Sequence, residues 1–252
     1  MANSSDNANG FENHSESSVV RILNELYQNH PLFSRPDGFL GWLGAEKRTK
    51  EDLKRFAQLY YPHVTRTRLF QGALLSLCPT QDTQAVVAAI LYDEYGRQQP
   101  SERHLVVYER LFAGMGLQRP ELTDALDTEV LGSRLYAAAM HGIVRQAHWA
   151  RAYGAVGIGG ELPIPSLYRP IYSAYTRVFS SDLDPDALAI FRSHIDLDDF
   201  HARSLIEAVQ PEYISDPIIA KELEIGFRMN LEARRFMLDS ITAQIDNGPG
   251  MG

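Results

Sequence analysis

The sequence predicts an all-α protein, a single-domain bundle of about seven helices longer than two turns. Three observations carry that expectation. Apolar residues recur at three- and four-residue steps, the spacing that gathers side chains on one helix face. Runs alternating with period two are few, and none is flanked by an Asn-Gly hairpin signal. Breaks at Cys78-Pro79, Gly96 through Pro100, Gly116 through Pro120 and Ser180 through Pro185 mark helix ends.

Taken in order, residues 1–18 are Asn/Ser-rich with one aromatic, Phe11, and read as a disordered arm. The helical domain is expected over 19–244, and 245–252 as a flexible tail. The first long stripe is Leu53, Phe56, Ala57, Tyr60, Val64, Thr67, Phe70, Leu74 and Leu77. Val87, Ile90 and Leu91 form a second, and Val107, Tyr108, Leu111 and Phe112 a third. Ile143, Ala147, Ala150, Gly154, Gly157 and Glu161 make a face of small residues that another helix or a ligand could approach closely. Asp184-Pro185 has the form of an N-cap followed by Pro at N1. The helix it opens carries Ile190, Phe191, Leu197 and Leu205.

Composition narrows the function classes. The chain has 252 residues, 44 % hydrophobic and 22 % charged, which suits a folded globular protein. Its net charge is −8, with no long Lys/Arg block to neutralise phosphates, so nucleic acid is not an expected partner. The longest apolar runs, such as Ala85 to Leu91, are too short to span a bilayer, so no membrane association is expected. A single cysteine, Cys78, allows no internal disulfide and fits a reducing cytoplasm. No basic segment followed by an apolar one marks a secretory signal.

The informative residues are ionisable ones on apolar stripes. His194, Asp198 and His201 stand at i, i+4 and i+7, within about 60° of one another on a helix. They continue the face of Ile190, Phe191, Leu197 and Leu205, while Asp196 and Asp199 point away from it. Glu94 follows Val87, Ile90 and Leu91 on their face. His104 begins the next helix on the face of Val107, Tyr108 and Leu111, and the break between them lets both turn toward one point. Glu161 closes the small-residue face. Burying three carboxylates costs several kcal/mol each unless they are paired, protonated or metal-bound. Three imidazoles and three carboxylates on interior faces therefore form a metal-ligand inventory suited to iron or manganese. Helix bundles build di-iron sites from such residues.

Other candidates are weaker. Cys78 has no His adjacent in sequence to activate it. His141 and His148, spaced i, i+7, lack an inward carboxylate, and Trp42 and Trp149 read as core or interface aromatics. The glycine run Gly154 to Gly160 lacks the Lys-Ser/Thr and preceding strand of a phosphate loop, so close helix packing is expected there.

The ordered set resembles the heme-oxygenase-like di-iron oxidases and N-oxygenases. Leu91-Tyr-Asp-Glu94-Tyr-Gly96 with His104 ten residues after Glu94, Glu161 before Pro163 and Pro165, and His194-x-x-x-Asp198-x-x-His201 carry the likeness, over about residues 50 to 240. The resemblance implies a seven-helix heme-oxygenase-like fold and two Fe(II)/Fe(III) ions bound by Glu94, His104, Glu161, His194, Asp198 and His201, with O2 as co-substrate. It implies that Glu94 and His104 serve one iron and His194 the other, with His201, Asp198 and Glu161 completing or bridging the pair. The implied reaction is oxidation of a small amine, amino acid or fatty-acid-like substrate through a peroxo-diferric intermediate. Outcomes range from N-oxygenation through desaturation to oxidative C–C cleavage, in a biosynthetic setting. An external electron donor and a homodimer are compatible with it. Some members supply an additional Glu from an earlier helix; here Thr65 to Gly72 offers no carboxylate. Arg66, Arg68, Arg145 and Arg169 are candidates to bind a substrate carboxylate. The alternatives are a metal-free thiamin-salvage-like hydrolase or quinone-forming oxidase of the same fold, or a non-catalytic helical interaction protein.

Overall fold

The amphipathic stripes become helices, and the breaks between them become the turns expected. In the computed structural model residues 18–248 are described, and no strand occurs among them. The long helices are α1 (Ser18–Gln28), α2 (Lys50–Leu75), α3 (Gln81–Glu94), α4 (His104–Gly114), α5 (Leu131–Gln146), α6 (149–161), α7 (Ile164–Phe179), α8 (Ala189–Ser215) and α9 (Pro217–Asp246). Short helical turns at Pro31–Ser34, Phe39–Gly44 and Leu122–Asp127 join them. The all-α class stands, with more helices than the seven expected.

One reason is the small-residue face, which is split between two helices. Ala147 is extended and α5 ends at Gln146, because the His148 ring accepts the Ala150 N–H at 3.2 Å and caps α6. His141 and His148 therefore do not share a helix. Another reason is α1, whose Val19 and Leu23 are fully buried. Of the expected arm and tail, residues 1–17 and 249–252 lie outside the described residues. Ser18 begins α1, and α9 runs to Asp246.

Caps fix the starts of the helices that frame the centre. Thr49 and Asp52 form a reciprocal capping box on α2, and Thr80 and Thr83 do the same on α3. Asp184 accepts the Asp186 N–H at 2.8 Å and opens a 3₁₀ turn that runs into α8. Asp216 alone separates α8 from α9, and it caps α9 through the Ile218 N–H ahead of Pro217.

α9 packs along α5 and α6, α7 along α8, and α2 against α3 and α5. The α6–α9 crossing brings backbone onto backbone. A Cβ at Gly154 would lie 2.0 Å from the Leu223 carbonyl oxygen, and one at Gly226 would lie 2.0 Å from that of Arg151. Glycine is required at both positions by this approach, so the small-residue face receives a helix. Within α6 the stretch Tyr153–Ile158 is a π-helix, a rare form that recurs at functional sites. Core tyrosines place their hydroxyls on backbone carbonyls: Tyr108 on Ala57, Tyr153 on Leu205 and Tyr175 on Leu53. Burying these rings therefore leaves no hydroxyl unpaired. No helix of the described residues is long and apolar enough to cross a membrane.

Candidate metal centre

Four helices, α3, α4, α6 and α8, bring the six sequence-predicted residues together. The last turn of α3 presents Asp93 and Glu94. The chain then doubles back through Gly96, Arg97 and Gln98, all with positive φ (76°, 50° and 69°). A Cβ at Gly96 would lie 2.5 Å from the Arg103 nitrogen, so only glycine permits the reversal. It delivers His104 at the start of α4, with Nδ1 3.1 Å from Glu94 Oε1. On α8, the His194 Nδ1–H donates to the Ile190 carbonyl at 2.8 Å. That fixes the tautomer and leaves Nε2 as the lone pair, 3.8 Å from Glu94 Oε1. The His104 and His194 ring centroids are 4.5 Å apart.

One helical turn along α8, Asp198 and His201 face Glu161 at the end of α6. His201 Nδ1 lies 3.5 Å from Glu161 Oε2 and 3.7 Å from Asp198 Oδ1. Its other nitrogen, Nε2, lies 3.0 Å from Asp93 Oδ2, so Asp93 holds that N–H and turns the Nδ1 lone pair inward. Glu161 Oε1 accepts the Gln71 amide at 2.6 Å. Asp196 and Asp199 are exposed, as expected from their angles.

The six residues thus fall into two triads. Glu94, His104 and His194 offer ligand atoms that all lie within 4.8 Å of one another, and so do Glu161, Asp198 and His201. This grouping places His194 with Glu94 and His104, whereas the resemblance assigned it to the other iron.

The electrostatics suit a cation at this point. Burial raises the Asp198 carboxyl well above its ordinary range, and the Glu161 and Glu94 carboxylates push it further. Burial pulls the imidazoles of His104 and His201 down, but their carboxylate neighbours outweigh it and hold both above the ordinary histidine value. For Glu94, burial raises the carboxyl and the His104 and His194 rings outweigh it, leaving it below the carboxylate range. Protons gather where a metal's charge would sit. Asp198 Oδ2, His201 Nδ1 and His104 Nδ1 are buried without a hydrogen-bond partner, and the close Glu94–His104 contact is misaligned for one. Buried polar atoms are rarely left so, and all three belong to the triads. Three imidazole nitrogens and three carboxylates fit iron.

Five of the six residues, all but His201, line a narrow cavity of about 40 Å³. His63, Arg68, Tyr168 and Arg234 also line it. The sequence reading missed Asp93, Gln71, His63 and Arg234. Asp93 stands directly before Glu94 in the Leu91-to-Gly96 stretch. Gln71 stands in the Thr65-to-Gly72 stretch, which offers an amide in place of a further carboxylate. Arg234 follows Asn230 at i+4 on the apolar face of α9, the same anomaly that flagged the ligands.

Other candidates resolve as structural. Burial pushes the Cys78 thiol up to about 11, and its Sγ faces the Leu74 carbonyl. His141 is exposed against the Phe70 ring. Trp42 is buried and its ring nitrogen donates to Asp246. Arg66 is held by Glu129, and Arg169 faces Asp199 at 3.7 Å.

Comparison with known proteins bears on the fold and the family. No curated protein matches the chain. Among solved structures, a CADD-like protein of unknown function from Nostoc punctiforme PCC 73102 superposes with a TM-score of 0.75 at 15 % identity, covering 90 % of this chain and 96 % of that one. A domain of unknown function with a heme oxygenase-like fold from Shewanella denitrificans OS217 gives 0.65 at 15 % identity, covering 92 % and 93 %. A TenA homolog from Pseudomonas syringae pv. tomato str. DC3000 gives 0.65 at 12 % identity, covering 95 % and 99 %. At these identities the likeness establishes the heme-oxygenase-like fold alone. Residues 54–235, which contain all six triad residues, match the family described as iron-containing redox enzymes, and the chain belongs to that family.

Proposed function

We propose that the chain is a non-haem di-iron oxidase that uses O2 to oxidise a small amine, amino acid or fatty-acid-like substrate. The observation that carries this reading is the pair of triads, three of whose ligand atoms, His104 Nδ1, Asp198 Oδ2 and His201 Nδ1, are buried without a hydrogen-bond partner. Glu94, His104 and His194 would hold one iron, and Glu161, Asp198 and His201 the other. Bound iron would supply the electrons and the Lewis acidity that dioxygen chemistry needs. The chain's own residues hold the donors in place: Ile190 orients His194, Asp93 orients His201, and Gln71 anchors Glu161. A metal-free reading of the fold leaves His104 Nδ1, Asp198 Oδ2 and His201 Nδ1 without a partner.

The test is iron content after anaerobic reconstitution with Fe(II). Two irons per chain are expected, with His104→Ala and His201→Ala each losing one and His141→Ala losing none. The iron-loaded protein should consume O2 once a substrate is present. No iron in the parent, or equal loss in all three variants, would defeat the reading.

A further inference from the structure

Arg234 is a buried cation without an anion. It is 2 % exposed, on the face of α9 that carries Phe227, Leu231 and Leu238. Its Nε donates to Asn230 Oδ1 at 3.2 Å, and Nη2 donates to the Gly159 carbonyl at 3.2 Å and to the Tyr136 hydroxyl at 3.4 Å. Nη1 is buried with no hydrogen-bond partner. None of the Arg234 hydrogen bonds goes to a carboxylate. Glu161 and Asp198 are the acidic groups that act on it from across the cavity, and the oxygens of Glu161 are turned to Gln71 and His201. His63 repeats the pattern. It is buried between the rings of Tyr60 and Tyr136, and its Nδ1 also lacks a partner. Both side chains line the cavity that holds the triads.

Leaving a buried guanidinium N–H unpaired costs the full desolvation of that group unless something arrives to accept from it. Charge points the same way. Three carboxylates fall short of neutralising two divalent irons, and Arg234 adds a further positive charge to the same cavity. An incoming anion would offset both. Guanidinium presents a planar fork that suits a carboxylate, while the neighbouring ring nitrogen can add a third contact.

We propose that Arg234 Nη1, together with His63 Nδ1, forms the anion-binding end of the cavity and receives the carboxylate of the substrate, an inference that rests on the di-iron reading for the other end. The substrate class narrows to acids, amino acids among them, and excludes simple amines. Arg68, half-buried on the same wall, has a backbone carbonyl, that of Thr65, as its partner and is the rival anchor.

The experiment uses the full chain, metal-free and Fe(II)-loaded under anaerobic conditions, with propionate and propionamide as probes. Binding is followed by calorimetry and by the Nε–H signal of Arg234 in protein labelled with ¹⁵N-arginine, assigned through Arg234→Lys. Propionate should bind at least about tenfold more tightly than propionamide, as expected for a charge-assisted contact, and should shift the Arg234 signal. Arg234→Gln should abolish that preference, His63→Gln should reduce it severalfold, and both should keep their iron. Equal binding of the two probes, a preference that survives Arg234→Gln, or one lost only in Arg68→Gln would overturn the assignment. Should Arg234→Gln fail to fold, the signal in the unsubstituted protein decides, and an unmoved Arg234 resonance overturns it. Iron bound without a propionate preference removes the anion site alone. A preference without iron removes the di-iron reading and leaves the anion site standing.

Discussion

The two triads combine carboxylate and imidazole in opposite proportions and in different surroundings. In the Glu94 group the side chains remain 12–13 % exposed, one carboxylate faces two imidazoles, and that carboxyl is held ionised. In the Glu161 group exposure falls to 2–7 %, two carboxylates face one imidazole, and Asp198 is driven toward its protonated form. The first triad must give up one proton, that of His104, to take a cation. The second carries more negative charge for a metal but must give up protons to use it. It is also braced by outer partners, Asp93 on His201 and Gln71 on Glu161, whereas the first is braced only by the Ile190 carbonyl. Burial therefore gives the second triad stronger ligation and a larger cost when empty.

The largest expected effect comes from removing that cost together with the ligation. Asp198→Asn keeps the shape of the protonated acid and removes the charge. Iron bound by the Glu161 group should fall by more than the roughly 10- to 100-fold that loss of an outer partner causes. The metal-free variant should melt higher than the parent at pH 8, by about 2–4 °C for each kcal/mol of desolvation and repulsion relieved. Elemental analysis and calorimetry read the two quantities. Loss of iron with a lower metal-free melting point would show that the buried carboxylate is not a burden.

Asp93→Asn tests the bracing. The amide cannot accept the His201 Nε2–H through a charged oxygen, so the ring loses its orientation. Iron affinity at the Glu161 group should weaken about 10- to 100-fold while the Glu94 group fills normally. Mössbauer spectra of ⁵⁷Fe-loaded protein separate the two sites. Equal weakening of both would mean that Asp93 acts through the Gly96 reversal next to it, where Arg97 ion-pairs with it at 2.6 Å.

A third effect is graded with pH. Filling the Glu161 group displaces protons from Asp198 and His201, both held above their ordinary values, whereas filling the Glu94 group displaces one from His104. Each displaced proton costs about tenfold in affinity per pH unit below the pKa concerned. Iron should therefore leave the Glu161 group first as pH falls from 7.5 to 6. Titration at fixed free Fe(II), with His104→Ala and His201→Ala isolating each triad, checks the order. Parallel loss from both would erase the distinction.

How much of this was legible in the sequence depended on which interactions are local. Helix faces are, so Glu94, Asp198 and His201 declared themselves by standing on stripes of apolar residues. The turn that joins Glu94 to His104 was visible because glycine and proline mark it. The division into triads was not, because it depends on where α3 and α8 cross and on which nitrogen each imidazole commits to a partner. The tautomer of His194 is set by a carbonyl four residues away, and that of His201 by Asp93, over a hundred positions distant. The end of α5 at Gln146 was missed because alanines and a histidine continue the stripe while His148 caps a new helix. Arg234 carries a readable signal, a charged residue on an apolar face, but a cation is not a metal ligand and its role depends on the cavity it lines.

The smallest expected effect separates burial from metal binding altogether. His63 is as buried as the Glu161 group yet belongs to neither triad. Burial, then the charges of Arg234 and Arg66, hold its imidazole well below the ordinary histidine value, so it is neutral in the folded chain. Unfolded, it titrates near the ordinary value of about 6.5. Below that pH the unfolded chain takes up a proton that the folded chain refuses, so this residue's contribution to stability is intact at pH 7.5 and declines as pH falls, by at most about 1.4 kcal/mol per unit. The raised values of His104 and His201 act in the opposite sense in metal-free protein, adding stability as pH falls through their folded-state values. The parent curve mixes the two, so the informative quantity is the difference between parent and His63→Gln, measured by urea unfolding in metal-free protein from pH 7.5 to 5.5. The variant should lose less stability than the parent over that interval. A constant difference would mean that His63 takes up its proton inside the fold, and that burial alone does not set the protonation state around this cavity.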